Sequence, residues 1–246
     1  TIYRSLVVRQ LVSPLRDLGF QVSGSVKLKK YGSLEDYKFF DYQLGIMNGS
    51  GMNQWDNNSS KDIVFRGVFY PWKGIHIGGS GRFGKQKPYS SAAGDGERIT
   101  FGGEVKLEYF NFLLQGEYIY GYRKNLPGQE ASGCGGAATP PIIDELESSG
   151  YYFTLLYKTP WNLEPVVKYE VYNPADKINL EVDNTLPTES VSTITLGLNY
   201  FLNDWSRLQV NYMINDDPNE SHTLITDRND AYFKQQFVVQ FQAILQ

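Results

Sequence analysis

Three observations predict an all-β fold, an antiparallel transmembrane β-barrel. They are a strict apolar/polar alternation, strands long enough to cross a bilayer, and connections that alternate between long and short. The stretch at 19–30, Gly-Phe-Gln-Val-Ser-Gly-Ser-Val-Lys-Leu-Lys-Lys, carries the first two. Phe20, Val22, Gly24, Val26 and Leu28 fall on one face, and Gln21, Ser23, Ser25, Lys27 and Lys29 fall on the other. A period of two over that length marks a strand with one apolar and one wet face. A tilted strand needs about 9–11 residues to span a bilayer, whereas strands of soluble domains average about five or six.

Composition agrees with that class. The 246 residues are 41% hydrophobic with a mean hydropathy of -0.38, and no apolar run approaches the roughly eighteen residues of a membrane helix. In a barrel half of every strand faces water, so a polar average is expected. Tyr (18), Phe (14) and Gly (24) are abundant, as in barrel walls. A net charge of -4 argues against a nucleic-acid partner. The single Cys134 excludes an internal disulfide. The chain starts on Thr1, without a signal peptide, and is read as a mature or partial chain.

Taken in order, residues 1–18 do not alternate and are interrupted by Pro14, which predicts a short helix or loop packed on something larger, bearing Arg4, Arg9 and Arg16. Eleven strands follow, at 19–30, 37–47, 62–70, 75–85, 98–109, 112–122, 150–158, 163–172, 190–200, 207–215 and 231–243. Each places aliphatic and aromatic side chains outward and polar ones inward. In the third strand Ile63, Phe65 and Phe69 oppose Asp62 and Arg66; in the fourth Ile75, Ile77 and Phe83 oppose His76, Ser80 and Arg82. In the fifth Ile99, Phe101, Val105 and Leu107 oppose Glu104, Lys106 and Glu108. The ninth and tenth set Ile194, Leu196, Leu198, Leu208, Val210 and Ile214 against Thr193, Thr195, Asn199, Gln209 and Asn211.

From the second strand onward the connections alternate long and short, as in outer-membrane barrels with long external loops and short periplasmic turns. The residues 123–149 read as the longest loop. Aromatics flank the short turns: Tyr70 and Trp72, Tyr109 and Phe110, Tyr157 and Trp161, Phe201 and Trp205. That is an interfacial girdle. Counting back from a periplasmic C-terminus leaves the first strand starting outside, so an odd number of strands is expected upstream, because bacterial barrels are even-stranded.

Several apparent motifs dissolve on inspection. Gly79, Gly81 and Gly84 spell G-x-G-x-x-G, and Lys85 adds the look of a P-loop. Both need a helix immediately after, and Lys87-Pro88-Tyr89 follows instead, so these are glycines of a twisted strand. His76 and Ser80 are four residues apart on one strand, roughly 13 Å, too far for a catalytic pair. No metal or triad spacing exists, and no enzyme activity or cofactor is expected. Asp216, Asp217, Asn219 and Glu220 read as a solvated acidic loop rather than a calcium site.

Several segments resemble the phosphate-selective porin O/P family. Ile63-Val-Phe-Arg66-Gly67-Val-Phe-Tyr-Pro71 is similar to that family's LRGVFAP strand. The segment from Ser149 to Tyr157 is similar to SGYYAQLAY, Thr195-Leu-Gly-Leu-Asn-Tyr200 to TLGVNWY, and Arg16-Asp17-Leu18-Gly19 to the step leading out of an internal loop. The resemblance implies a trimeric bacterial outer-membrane porin of about sixteen strands, of which this chain is the C-terminal part. Residues 1–18 would be the lumen-folded constriction loop and residues 19–246 the barrel strands. Small hydrophilic solutes would diffuse through it, with anions such as phosphate preferred, and outer-membrane lipid would surround it. The expected lumen-lining, anion-binding residues are Arg66, which matches the motif position, Arg82, Arg4, Arg9 and Arg16, placed by segment and parity, and Lys27, on the wet face of the first strand. Two departures stand beside this. Asp62, Glu104, Glu117 and Glu170 also point inward, and the chain runs past Phe241 to Gln246, where family strands end on an aromatic.

Two readings of the arginines stay open. Arg66 and Arg82 form one basic track, or Asp62 and Glu104 neutralise them. The alternative function is a scaffold or receptor barrel without conductance. For close contact between barrels, Gly116 and Gly197 are the small residues expected on the outer face.

Overall fold

The computed structural model describes residues 4–12, 17–29, 36–49, 60–86, 96–127, 142–179, 189–218 and 234–243. They form one short helix and one antiparallel sheet of eleven strands. The helix is α1 (Leu6–Leu11), and the strands are β1 (Gly19–Lys29), β2 (Asp36–Met47), β3 (Asp62–Trp72), β4 (Ile75–Gln86), β5 (Gly96–Tyr109), β6 (Phe112–Pro127), β7 (Ile142–Tyr157), β8 (Leu163–Asn179), β9 (Val191–Asn203), β10 (Ser206–Asp216) and β11 (Gln235–Ala243). Spatial order equals sequence order, an up-and-down meander in which β1 and β11 are the two edges and the sheet is not closed.

The faces follow the alternation. Leu196 and Leu198 are 47% and 44% exposed, while Thr193, Thr195 and Asn211 beside them are 1% exposed. The buried side of the sheet is polar and the exposed side apolar, the inverse of a water-soluble domain. Register carries this around the sheet: Val22 faces Leu44, Leu44 faces Phe65, and Ile63 faces Phe83. Lys27 lies opposite Lys38, whose Nζ reaches Asp41 at 2.5 Å, and Gln240 lies opposite buried Gln209. Both therefore belong to the polar side, as the alternation requires.

The strands differ from the sequence expectation mainly in reach. β6 continues to Pro127, β7 starts at Ile142 and β8 runs to Asn179, so much of 123–149 is ladder rather than loop. Apolar alternation stops where the apolar band stops, yet backbone pairing does not depend on it. Beyond the band the ladder is reinforced by polar pairs, Tyr122 Oη donating to Glu145 at 3.1 Å and Lys177 to Glu147 at 3.4 Å. One register shift lies between Val26 and Lys27, where β2 holds an extra residue. There the Phe39 ring meets Phe69 edge-on at 4.8 Å, on the apolar side.

The short turns are tight. Gly74 has φ +84°, and an ideal Cβ there would overlap the Glu108 carbonyl oxygen, so the two-residue turn after Trp72 requires glycine. Phe110 takes φ 49° in the next turn and is 87% exposed beside Tyr109. Trp72, Trp161 and Trp205 are likewise exposed at these turns, a ring of aromatics at one rim. Of the two glycines expected on the outer face, Gly116 is there but covered by the Phe153 ring. Gly197 is not. It lies opposite Asn211 on the polar side, because the parity that sets Leu196 and Leu198 outward turns it inward.

α1 packs on the polar face against β6, β7 and β8. Its Leu6, Val7 and Leu11 form an apolar cluster with Ile119, Tyr172 and Val191. A six-residue helix is unstable alone, and tertiary contacts hold this one. Glu170 accepts from Leu6 N at 3.0 Å, and Arg123 Nη2 donates to Gln10 O at 2.6 Å. Gly121 and Gly150 leave the space that the Leu11 and Val7 side chains fill.

Candidate pore lining

The polar face is organised in rows set by register. One row runs through Asp41, Val68, Gly78, Glu104, Glu117, Tyr152, Glu170 and Thr193. Four carboxylates share it. One step toward the short turns, His76, Lys106, Gln115, Thr154, Lys168 and Thr195 follow one another, with Lys27 and Lys38 opposed at the β1 side. Toward the long loops Gly84, Arg98 and Arg123 face one another, with Arg82 opposite Val64 and Thr100 a rung away. The lining thus stacks a basic level, an acidic level and a second basic level.

Glycine on β4 makes the basic level nearest the long loops possible. Asp62 on β3 and Arg98 on β5 are separated by a whole strand, yet Arg98 Nη2 donates to Asp62 Oδ2 at 2.7 Å. The carboxylate passes over Gly84, where a Cβ would overlap it. Arg82 Nε donates to the same oxygen at 2.5 Å. Asp62 has no exposed side-chain surface, and Arg82 and Arg98 retain only 14% and 10%. Two guanidiniums therefore share one carboxylate, and a third, Arg123, stands opposite Arg98. Asp62 Oδ1 and Arg98 Nε are buried without a hydrogen-bond partner among the described residues.

Gly78 repeats the device lower down. Arg66 on β3 reaches over it to form an ion pair with Glu104 on β5, its Nε donating to Oε2 at 3.3 Å. The sequence motif that mimics a phosphate loop is thus two bare places on one strand over which charged side chains meet. Asp41 is a further hub, accepting from Ser25 Oγ and Tyr70 Oη at 2.6 Å each, besides Lys38. Lys168 and Glu170 pair at 3.1 Å under α1.

Of the residues expected to line the lumen, Arg66, Arg82 and Lys27 lie on the polar face. Arg66 and Arg82 do not join in one cluster: each is paired with its own carboxylate, Glu104 and Asp62. Arg9 is half-buried on α1, Arg4 is exposed just before it, and Arg16 lies outside the described residues, as do Cys134, His222 and the Asn219–Glu220 end of the acidic loop. Sequence reasoning passed over Arg98 and Arg123. The parity of Thr100, Gly102 and Glu104 extends to Arg98 and signals it. Arg123 carries no signal, because the apolar alternation of this strand stops at Tyr122 while β6 continues to Pro127.

An eleven-stranded meander with a buried polar face, an exposed apolar face and an aromatic rim is the wall of a bacterial outer-membrane β-barrel of the porin class. The chain belongs to the phosphate-selective porin O and P family, whose model matches residues 88–243. No curated protein matches it. Among solved structures it is similar to OmpT, an outer membrane protein of Vibrio cholerae. The in-vitro folded form has 13% identity and a TM-score of 0.53, with 80% of this chain and 53% of that one covered. The outer-membrane expressed form has 14% identity and a TM-score of 0.52, with 80% and 54% covered. An anion-selective porin from Comamonas acidovorans matches at 13% identity and a TM-score of 0.49 over 78% of this chain and 48% of that one. The chain spans about half the length of these structures.

Proposed function

We propose that this chain is part of a passive outer-membrane channel for small hydrophilic solutes, with anions preferred, and that it is not an enzyme. The observation that carries the reading is the inverted sheet, polar within and apolar without, in a chain of a porin family. The edges of β1 and β11 fit the same reading. Open edges do not persist in hydrocarbon, so further strands would close the wall. α1, seated on the polar face, would narrow the lumen, and residues 1–18 would serve as the constriction segment. Assembly as a homotrimer belongs to the proposal too.

Anion preference draws on the level nearest the long loops, where among the described residues Arg82, Arg98 and Arg123 gather around the single carboxylate of Asp62. Guanidinium stays charged and offers a planar fork to oxyanions. Anions entering from the long-loop side would meet that level first. The acidic level beneath it makes the preference modest, with no special selection of phosphate.

Arg66 lies between the two levels and tests the balance. Its removal leaves Glu104 uncompensated. One charge acting over about 7 Å of water is worth about 0.6 kcal/mol. For Arg66→Ala, reversal potentials of the full-length protein in a KCl gradient should then report a two- to threefold lower anion-to-cation permeability ratio. An unchanged ratio would make Arg66 structural and remove it from the selectivity account.

A further inference from the structure

A cleft of about 160 Å³ opens on the polar face between β3 and β7. That is room for about five waters at roughly 30 Å³ each, enough for a solute the size of an amino acid. Its wall carries both signs. Arg66 and Lys106 supply the positive charges, Glu104 and Glu117 the negative ones, and His76 and Tyr152 add polar groups. Arg66 is already engaged by Glu104. Glu117 accepts from Tyr152 Oη at 2.8 Å, and among the described residues no ion pair reaches it. Lys106 pairs with Glu108, an arrangement that is one-third exposed for the lysine and about half exposed for the acid. Such surface pairs are weak and exchange readily.

From this geometry we infer that the cleft is a subsite for small zwitterionic solutes, with the ammonium end at Glu117 and the anionic end at Lys106. Glu117 faces Glu104 across the ladder, and Lys106 lies two residues further along β5 on the same face. The backbones of diagonal neighbours of this kind are about 7–8 Å apart, a spacing that a short-chain solute can span. A simple anion would approach Lys106 with Glu117 and Glu104 close by, and a simple cation would meet Arg66 and Lys106. A solute carrying both charges, separated by a short chain, satisfies both signs at once. The phenol of Tyr152 fixes the Glu117 carboxylate, and Tyr70 and His76, in edge contact at 4.7 Å, also line the cleft. The inference rests on the reading that the polar face is the water-filled lumen.

The test uses three probes of one skeleton: 4-aminobutanoate, butanoate and butylammonium. Saturation-transfer NMR with the full-length protein in detergent measures binding without requiring conductance. The strongest transfer is expected for 4-aminobutanoate. Glu117→Gln should weaken it by up to about fivefold, the range of a partly exposed ion pair. Lys106→Gln should do the same and serves if the first variant does not fold, as judged by the heat-dependent mobility of folded barrels. Butanoate binding as well as 4-aminobutanoate, or binding unaffected by both variants, would overturn the inference. A bilayer silent to ions while 4-aminobutanoate still binds would instead sink the channel reading and leave the subsite standing.

Discussion

Asp62→Ala should destabilise the folded barrel by about 3–5 kcal/mol, the cost of removing one partner from a buried ion pair. Asp62 has no exposed side-chain surface and holds Arg82 and Arg98, which retain 14% and 10%. Its loss takes from Arg98 the carboxylate to which it donates, at a level shared with Arg82 and Arg123. The readout is the temperature at which the detergent-solubilised protein loses its folded electrophoretic mobility. Gly84→Val should produce a comparable loss while keeping every charge, because the new side chain occupies the path by which Asp62 crosses β4. Gly103→Ala is the control. It sits on the exposed apolar side with nothing within 4 Å of the added carbon, and its stability should match wild type. Equal stability of all three variants would show that the crossing pair does not hold the wall together.

Val7→Asp should release α1 and raise single-channel conductance. Val7 is fully buried among Leu6, Leu11, Ile119, Tyr172 and Val191. Each of the three helix side chains contributes about 1.5–3 kcal/mol by burial, and an unpaired carboxylate in that cluster costs several kcal/mol. Glu170, which already accepts from Leu6 N, adds repulsion. Gly150→Leu approaches the same end from the wall, since its side chain would take the space of Val7. Val12→Asp, exposed just past the helix, should leave the conductance alone. An unchanged conductance in Val7→Asp would mean that α1 does not narrow the open path.

Much of this architecture was legible in the residues. Alternation alone fixed which of Leu196 and Thr195, or Ile77 and Ser80, faces which way, because a period of two is dictated by the pleat. The limits came from features alternation does not encode. Strand ends past Tyr122 and before Gly150 are held by backbone pairing and polar partners such as Tyr122–Glu145, so no apolar signal marked them. The extra residue in β2 became visible only through the pairing of Lys27 with Lys38. Ion pairs across β4 depend on side chains that are missing at Gly78 and Gly84, so the significance of those glycines could be read only once β3 and β5 were placed beside them. The placement of α1 needed a tertiary partner as well: residues 1–18 predict a short helix or loop packed on something larger, and only the gaps at Gly121 and Gly150, filled by Leu11 and Val7, say where it goes.

The central claim is that the polar face is the water-filled path and the apolar face the lipid boundary. Thiol-specific charged reagents applied during bilayer recording test it, with Ser80→Cys and Ile77→Cys each placed in a Cys134→Ser background. Ser80 lies opposite Arg66 and Gly102 on the polar face, and Ile77 is 51% exposed on the other. The account predicts that the reagent changes the current through Ser80→Cys and leaves Ile77→Cys unaffected. Modification of the current through Ile77→Cys with none through Ser80→Cys would contradict it.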